Sequence, residues 1–173
     1  MRLDRSFFCR DALAVAPDLL GKALVRKDKA GISSHTISEV EAYLGIEDQA
    51  SHARIGKTAR NAVMFDQGGL VYVYLIYGMH WMLNFVTGQN NQPQAILIRG
   101  ITGFEGPGKI TRALHIDHSF YGENLATSER IWVEDRNLKP EITRVPRFGI
   151  DYAEEPWKSM PWRYIMAPPP RNS

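Results

Sequence analysis

The chain has 173 residues, of which 44% are hydrophobic and 23% are charged, and its formal net charge is +2. This length and composition are typical of one globular domain that buries a sizeable core. The single cysteine, Cys9, excludes an internal disulfide framework and a zinc site built from cysteines, and it fits a reducing compartment.

The predicted elements begin with a short helix over 11–20, interrupted by Pro17 and closed by Gly21. Further elements follow from apolar alternation and turn residues. They are strands at 23–26, 35–44, 70–76, 81–86, 95–99 and 163–166, and a helix at 110–114. Many strands in neighbouring pairs with few helices predict an α+β fold. We expect a single compact domain over 1–173, with an antiparallel sheet core, flanking helices and a frayed tail at 167–173.

The stretch ISEVEAYL places Val40 and Ala42 on one face of its strand, and Glu39, Glu41 and Tyr43 on the other. If the apolar face is buried, Glu41 and Tyr43 are neighbours on one surface. A carboxylate beside an aromatic ring is typical of a base next to a stacking platform. The alternative is the solvated face of an edge strand.

The charged side chains of the following loop change from acidic to basic along its length. Glu47, Asp48 and His52 come first, without a recognised metal-ligand spacing, so a capped helical turn is the alternative to a cation site. Arg54, Lys57 and Arg60 then follow with no acidic residue among them. Such a cluster is either a solvated loop or a surface that neutralises phosphates.

The apolar run LVYVYLIYGMHWMLN predicts a hairpin with Tyr77, Gly78, Met79 and His80 at its tip. Exposed aromatic residues at a tip are typical of wedges that enter nucleic acid between base steps. The alternative is that a neighbouring loop covers the tip and that the tyrosines are amphipathic core residues.

Four segments together resemble the alkyladenine (3-methyladenine) DNA glycosylase family. They are EAYLGIEDQASHARIGKTARNAVMF, LVYVYLIYGMHWMLN, AILIRG and GPGKITRAL. The resemblance implies a compact domain that inserts a β-hairpin into the DNA minor groove. It also implies a monomer that acts on double-stranded DNA containing damaged purines, without a cofactor, a metal, a membrane or an obligate protein partner. We expect a cytoplasmic, bacterial protein that is not secreted.

The resemblance assigns roles to the pocket residues by motif. Glu41 matches the general base that activates a water for attack on the sugar C1′. Tyr43, His52 and Tyr74 match residues that contact the flipped base, and Asn84 matches a residue that screens against the exocyclic amine of guanine.

The resemblance also assigns contacts with the DNA. Tyr77 matches the tyrosine that fills the gap left by the flipped base, and Arg99 matches a contact to its phosphate. The remaining expected contacts are at the tip and along the backbone: Met79, His80, Thr58, Arg60 and Lys109.

The implied function is a monofunctional DNA glycosylase that removes 3-methyladenine, 7-methylguanine or hypoxanthine and leaves an abasic site in base excision repair. A non-catalytic module that binds damaged DNA is the first alternative. A metal-dependent nuclease that uses Glu39, Glu41, Asp48 and His52 is the second. The chain departs from the family where ITGFEGPGK lacks an extra segment before GPGK, and where Ile46 and Ala59 replace common prolines.

Overall fold

The computed structural model describes residues 1–167. The chain begins with two short helices, α1 (Arg5–Phe8) and α2 (Ala12–Leu19). The carboxylate of Asp11 caps α2 by accepting a hydrogen bond from the Leu13 N–H at 2.8 Å. Pro17 lies inside α2 and does not interrupt it, so that prediction is wrong. The described part ends near Ala167, whose N–H donates to the Glu141 carbonyl at 2.8 Å, while 168–173 of the predicted frayed tail lie outside it.

The described residues form nine strands and a third helix. The strands are β1 (Ala23–Asp28), β2 (Gly31–Leu44), β3 (Val71–Ile76), β4 (His80–Thr87), β5 (Gln94–Ile101), β6 (Phe104–Glu105), β7 (Ile131–Glu134), β8 (Ile142–Val145) and β9 (Arg163–Met166). The helix α3 (Pro107–Ala113) follows β6, and single 3-10 turns cover His52–Ile55, Ala62–Phe65 and His118–Phe120. The sequence did not predict α1, β6, β7 or β8. The turn predicted between the first two strands is too long, because β1 and β2 extend until only Lys29 and Ala30 separate them.

The strands form one sheet in the order β3-β4-β5-β2-β1-β7, with β6 on β5, and with β9 pairing both β2 and β8. Each pairing is antiparallel. β2 is shared by both halves of the sheet: its first part pairs with β1, and its second part pairs with β5 and β9. The register shifts near Glu39 mark where this long strand changes partners. These features confirm the predicted α+β domain with an antiparallel core.

The main core lies between the sheet and the helices. Val40 and Ala42 of β2 point into it and are 0% exposed, together with Val15 of α2 and Ile110 of α3. The opposite face of β2 therefore carries Glu39, Glu41 and Tyr43 away from this core. No helix within residues 1–167 is long and apolar enough to cross a membrane.

The β3–β4 hairpin ends in a turn at Tyr77, Gly78 and Met79, closed by the pairing of Ile76 with His80. Tyr77 (φ 51°) and Gly78 (φ 65°) both have left-handed backbone conformations, which glycine adopts without strain. Tyr77 is 88% exposed and Met79 is 68% exposed, so no loop within residues 1–167 covers the tip. His80 belongs to β4 and packs on Gly108, where an added Cβ would lie 3.1 Å from its Nδ1.

Candidate active site

A cavity of about 680 Å³ opens beside the β3–β4 hairpin. Its lining comes from β2, β3, β4, β5, the loop after β2, the start of α3 and the segment after β8. The expected site residues in its wall are Tyr43, His52, Arg60, Tyr74, Tyr77, Asn84 and Arg99. The fold thus brings residues from distant parts of the sequence to one cavity whose lining includes several aromatic rings, a common form of small-ligand site.

Glu41 lies directly behind this wall and is 0% exposed. Its Oε2 accepts a hydrogen bond from the Tyr43 hydroxyl at 2.7 Å, and its Oε1 accepts one from the Phe148 backbone N–H at 2.7 Å. The Nε of Arg99 lies 3.5 Å from the same Oε1. These contacts supply the partners that a buried carboxylate requires. The alternative of a solvated edge strand is wrong, because β2 lies in the interior of the sheet.

Tyr43 connects Glu41 to the cavity, since it lines the cavity while its hydroxyl donates to the carboxylate. Burial, reinforced by the negative charge of Glu41, raises the pKa of Tyr43 well above its ordinary value. The phenol therefore keeps its proton and remains a hydrogen-bond donor at neutral pH.

A buried ion pair supports Tyr43 from behind. The guanidinium of Arg147 donates two hydrogen bonds to Asp48, at 2.6 and 2.9 Å, and both side chains are 0% exposed. Arg147 also donates to the Ala42 carbonyl at 3.0 Å, and its guanidinium carbon lies 4.8 Å from the centre of the Tyr43 ring. The pair fixes the segment that carries Tyr43 and, through the next residue along the chain, the N–H of Phe148.

His52 and Tyr74 form a second side of the cavity. Their ring centres are 4.4 Å apart, with the planes inclined at 68°. The Nδ1 of His52 is hydrogen-bonded to the Tyr72 hydroxyl at 2.9 Å. Burial, with a smaller contribution from the charge of Arg60, lowers the pKa of His52, so its imidazole is neutral at neutral pH. Burial raises the pKa values of Tyr72 and Tyr74, which keep their protons.

Asn84 on β4 is 3% exposed and lines the cavity. Its Nδ2 donates to the backbone carbonyls of Tyr72, at 3.2 Å, and Met82, at 3.4 Å. The amide group is therefore held in one orientation, which a residue that tests the shape of a ligand requires.

Arg99 lies between two carboxylates. Its Nε is 3.3 Å from Oε1 of Glu39 and 3.5 Å from Oε1 of Glu41. The ring of Phe148 lies 5.0 Å from its guanidinium carbon. The side chain is only 14% exposed, yet it lines the cavity, so it is less accessible than an ordinary surface phosphate contact.

The other expected DNA contacts lie around the mouth of the cavity or beyond it. Arg60 is exposed, donates to the Leu75 carbonyl at 2.8 Å and places its guanidinium carbon 5.3 Å from the centre of the Tyr74 ring. Thr58 is partly exposed in the same loop, and Lys109 is exposed on α3. Neither of these two lines the cavity described above.

The residues that a metal-dependent nuclease would need as metal ligands already contact other protein groups. Asp48 is paired with Arg147, and the Nδ1 of His52 is paired with Tyr72. Glu39 is paired with Arg163 at 2.6 Å. Within residues 1–167 no three of the histidine, cysteine, aspartate and glutamate side chains are grouped as metal ligands. The geometry of these four residues therefore does not support the nuclease interpretation.

The sequence did not reveal the contribution of the segment after β8. Arg147 and Phe148 reach Glu41 and Tyr43 from about a hundred residues away along the chain. Phe148 and Tyr152 also line the cavity, and their side chains are 64% and 68% exposed. No local pattern indicated these contacts.

Comparison with known proteins identifies the family. A model of the methylpurine-DNA glycosylase (MPG) family matches residues 6–105 and 102–170. A protein of Methanocella arvoryzae is 43% identical, with 94% of this chain and 90% of that protein covered. Proteins of Desulfitobacterium hafniense and Borrelia garinii subsp. bavariensis are 40% and 41% identical, with 95% of both chains covered in each case. All three are named "Putative 3-methyladenine DNA glycosylase".

The matches span nearly the whole chain, and they include the segments that form the cavity and the hairpin. The aromatic cavity with a carboxylate behind its wall agrees with such an enzyme. The chain belongs to the methylpurine-DNA glycosylase family of hydrolases.

Proposed function

We propose that this enzyme flips alkylated or deaminated purines out of duplex DNA and hydrolyses the N-glycosidic bond with a water activated by Glu41. The observation that carries the proposal is the position of Glu41, a carboxylate held behind an aromatic cavity by Tyr43, Phe148 and Arg99. Because a base inside a duplex cannot be reached, the target must leave the stack before it enters the cavity.

The cavity suits a flipped purine. Tyr43, His52 and Tyr74 supply the faces and edges of aromatic rings, which attract a cationic, alkylated base more strongly than a neutral one. A Tyr72 hydroxyl that donates to Nδ1 of His52 leaves the ring proton on Nε2, available to an acceptor on the base. Asn84, held in one orientation, limits the room beside the base and thereby disfavours the exocyclic amine of guanine.

In the proposed reaction Glu41 accepts a proton from water as the water oxygen bonds to the sugar C1′. The bond between C1′ and the purine nitrogen breaks, and its electron pair leaves with the base. A purine that is positively charged through alkylation leaves as a neutral molecule, so one carboxylate can suffice where glycoside hydrolysis usually needs two. A deaminated purine is uncharged, so it leaves as an anion that takes up a proton from solvent water. No lysine is among the residues that line the cavity, which supports a monofunctional enzyme without lyase activity.

The exposed hairpin tip is the proposed contact with the minor groove. Tyr77, 88% exposed, fills the space of the flipped nucleotide, and Met79 lies beside it. Arg60 and Thr58 in the loop after β2, and Lys109 on α3, are proposed to hold phosphates, whereas Arg99 is proposed to reach the phosphate of the flipped nucleotide from inside the cavity. The product is an abasic site, the starting point of base excision repair, and the enzyme is proposed to act as a monomer.

The test is base release from duplexes that contain 3-methyladenine, 7-methylguanine or hypoxanthine, with EDTA present. We expect the wild-type protein to release base and leave the strand intact until alkali is added. Glu41→Gln is expected to lower the rate by about 10²–10⁴-fold, the usual contribution of a general base, while DNA binding persists. Glu47→Gln, an exposed change in the next loop, is the matched control.

Equal rates for Glu41→Gln and the wild-type protein would remove Glu41 from its role. Binding without base release from any of the three duplexes would favour the non-catalytic module, and strand cleavage without alkali would contradict the absence of lyase activity.

A further inference from the structure

Glu39 is a charged residue of the site for which the proposed reaction has no use. It lies two residues before Glu41 on the same face of β2, and its side chain is 18% exposed. Its carboxylate does not line the cavity, and it makes no hydrogen bond to Tyr43 such as Glu41 makes. Its Oε1 nevertheless contacts two arginines, Arg163 at 2.6 Å and Arg99 at 3.3 Å.

These contacts form a row of alternating charges that ends at the proposed base. The order is Arg163, Glu39, Arg99 and Glu41. Arg99 is the shared member: its Nε is 3.3 Å from Glu39 and 3.5 Å from Glu41. Only the contact with Glu39 has the geometry of a hydrogen bond. The Nε–H of Arg99 therefore donates its hydrogen bond to Glu39, although Glu41 lies only slightly farther away.

Competition for Arg99 bears directly on the chemistry of Glu41. Arginine and carboxylate groups form short, often bidentate pairs when nothing prevents them. A full pair with Arg99 would occupy the lone pairs with which Glu41 must accept a proton from water, the opposite of what a general base needs. Two of its lone-pair positions are already taken by Tyr43 and the Phe148 N–H.

We infer that Glu39 is a positioning residue, which holds Arg99 away from a full ion pair with Glu41 and so keeps Glu41 free to accept a proton from water. The inference rests on the proposed function of Glu41. Arg99 remains oriented along the cavity wall, where its Nη atoms have no hydrogen-bond acceptor within residues 1–167. They are available to a phosphate or to the attacking water.

The inference predicts opposite effects for two neighbours in the row. Removal of the charge of Glu39 releases Arg99 to Glu41 and slows base release. Removal of the charge of Arg163 leaves Glu39 with Arg99 as its remaining cationic partner, which strengthens that contact and draws Arg99 further from Glu41. If the row only stabilised the structure, removal of the charge of either Glu39 or Arg163 would slow base release.

The effect on DNA binding separates positioning from general damage to the site. Glu39→Gln removes a negative charge near the bound phosphates, so affinity for DNA is expected to stay the same or to increase while the chemical step slows. Glu105→Gln removes the same charge from an exposed residue of β6, paired in register with Gly100 next to Arg99. It controls for the charge alone because Glu105 contacts neither arginine of the row.

The experiment measures single-turnover base release with enzyme in excess, together with the dissociation constant for a duplex that carries an uncleavable abasic-site analogue. The proteins are the wild type, Glu39→Gln, Arg163→Gln, Glu105→Gln and Glu41→Gln. We expect Glu39→Gln to be slower by at least about tenfold with unweakened binding, Arg163→Gln to be faster than the wild type by up to about threefold, and Glu105→Gln to match the wild type.

The outcomes distinguish this inference from the proposed function. Base release by the wild type that Glu41→Gln abolishes and Glu39→Gln does not change overturns the inference alone. Equal losses in Glu39→Gln and Arg163→Gln, or weakened DNA binding by Glu39→Gln, also overturn it, because they indicate a structural row. A wild-type protein that releases no base, or a Glu41→Gln protein as fast as the wild type, overturns both.

Discussion

The wall of the cavity and its rim are built from similar residue types but held in opposite ways. In the wall and directly behind it, Tyr72, Glu41 and Arg147 are 1%, 0% and 5% exposed, and each has hydrogen-bond partners within the protein. At the rim, Tyr77 and Phe148 are 88% and 64% exposed. The wall is thus part of the folded core, whereas the rim contributes little to it.

This difference separates stability from binding. A buried polar group destabilises the protein when its partner is removed, because it loses both water and the partner. Substitution of an exposed aromatic residue at the end of a hairpin removes few contacts within the protein, so we expect such a residue to serve binding rather than stability. Substitutions in the wall should therefore lower the free energy of unfolding, and substitutions at the rim should not.

The strongest test of this comparison is Arg147→Met. It leaves Asp48 buried without its cation, so we expect the free energy of unfolding to fall by about 3–5 kcal/mol. Denaturant titration followed by tryptophan fluorescence measures the change. The double variant with Asp48→Asn removes both charges and should recover a substantial part of the loss. If the single variant loses less than about 1 kcal/mol of unfolding free energy, the pair contributes no more than an exposed ion pair. That result would contradict a stabilising role for Arg147 behind the wall.

A smaller loss is expected for Tyr72→Phe. The change removes the hydroxyl that pairs with Nδ1 of His52 and should cost about 0.5–1.5 kcal/mol of unfolding free energy. Tyr74→Phe is the matched control, since within residues 1–167 the Tyr74 hydroxyl makes no protein hydrogen bond. Equal losses in the two variants would show that the hydrogen bond to His52 does not stabilise the wall.

The third test uses pH, because burial lowers the pKa of His52 below its value of about 6.5 in an unfolded chain. Between the two pKa values the unfolded chain binds more protons, so stability rises with pH there. The wild type should therefore lose stability as the pH falls below about 6.5. His52→Gln should lose less between pH 7.5 and 5.5, measured by the same titrations. An identical pH dependence in both proteins would contradict a buried neutral imidazole.

The smallest effect on stability is expected at the rim. Tyr77→Ser should change the unfolding free energy by less than about 0.5 kcal/mol, since the side chain is exposed. Binding to lesion-containing duplex and base release should both weaken, because the variant lacks the ring that we propose fills the gap left by the flipped base. Filter binding and thermal melting together measure the two responses. A large loss of melting temperature would mean that the tip supports the fold after all.

Local pattern in the sequence predicted the parts of the site that lie close together along the chain. Alternation along β2 placed Glu41 and Tyr43 on the face opposite Val40, and the glycine after Tyr77 located the exposed turn. The family resemblance supplied the expected roles of these residues, which neither periodicity nor composition indicates.

The sequence could not predict contacts made over long separations. The ion pair of Asp48 with Arg147 and the hydrogen bond from Phe148 to Glu41 join segments about a hundred residues apart. Their existence depends on the pairing of β9 with β2, not on local propensity. The same limit applies to Arg99, because the contact with Glu39 forms only when β2 and β5 are paired.

The shared position of β2 also constrains how the enzyme can change. Because side chains alternate along a strand, a slip of one residue would turn Glu41 toward the apolar core and Val40 or Ala42 toward the cavity. The same slip would disturb the pairings with β1, β5 and β9 together. An insertion within this strand would therefore disturb the fold together with the position of Glu41. Differences in length among relatives should accumulate outside β2, for example in the segment before α3, and spare the strand that carries Glu41.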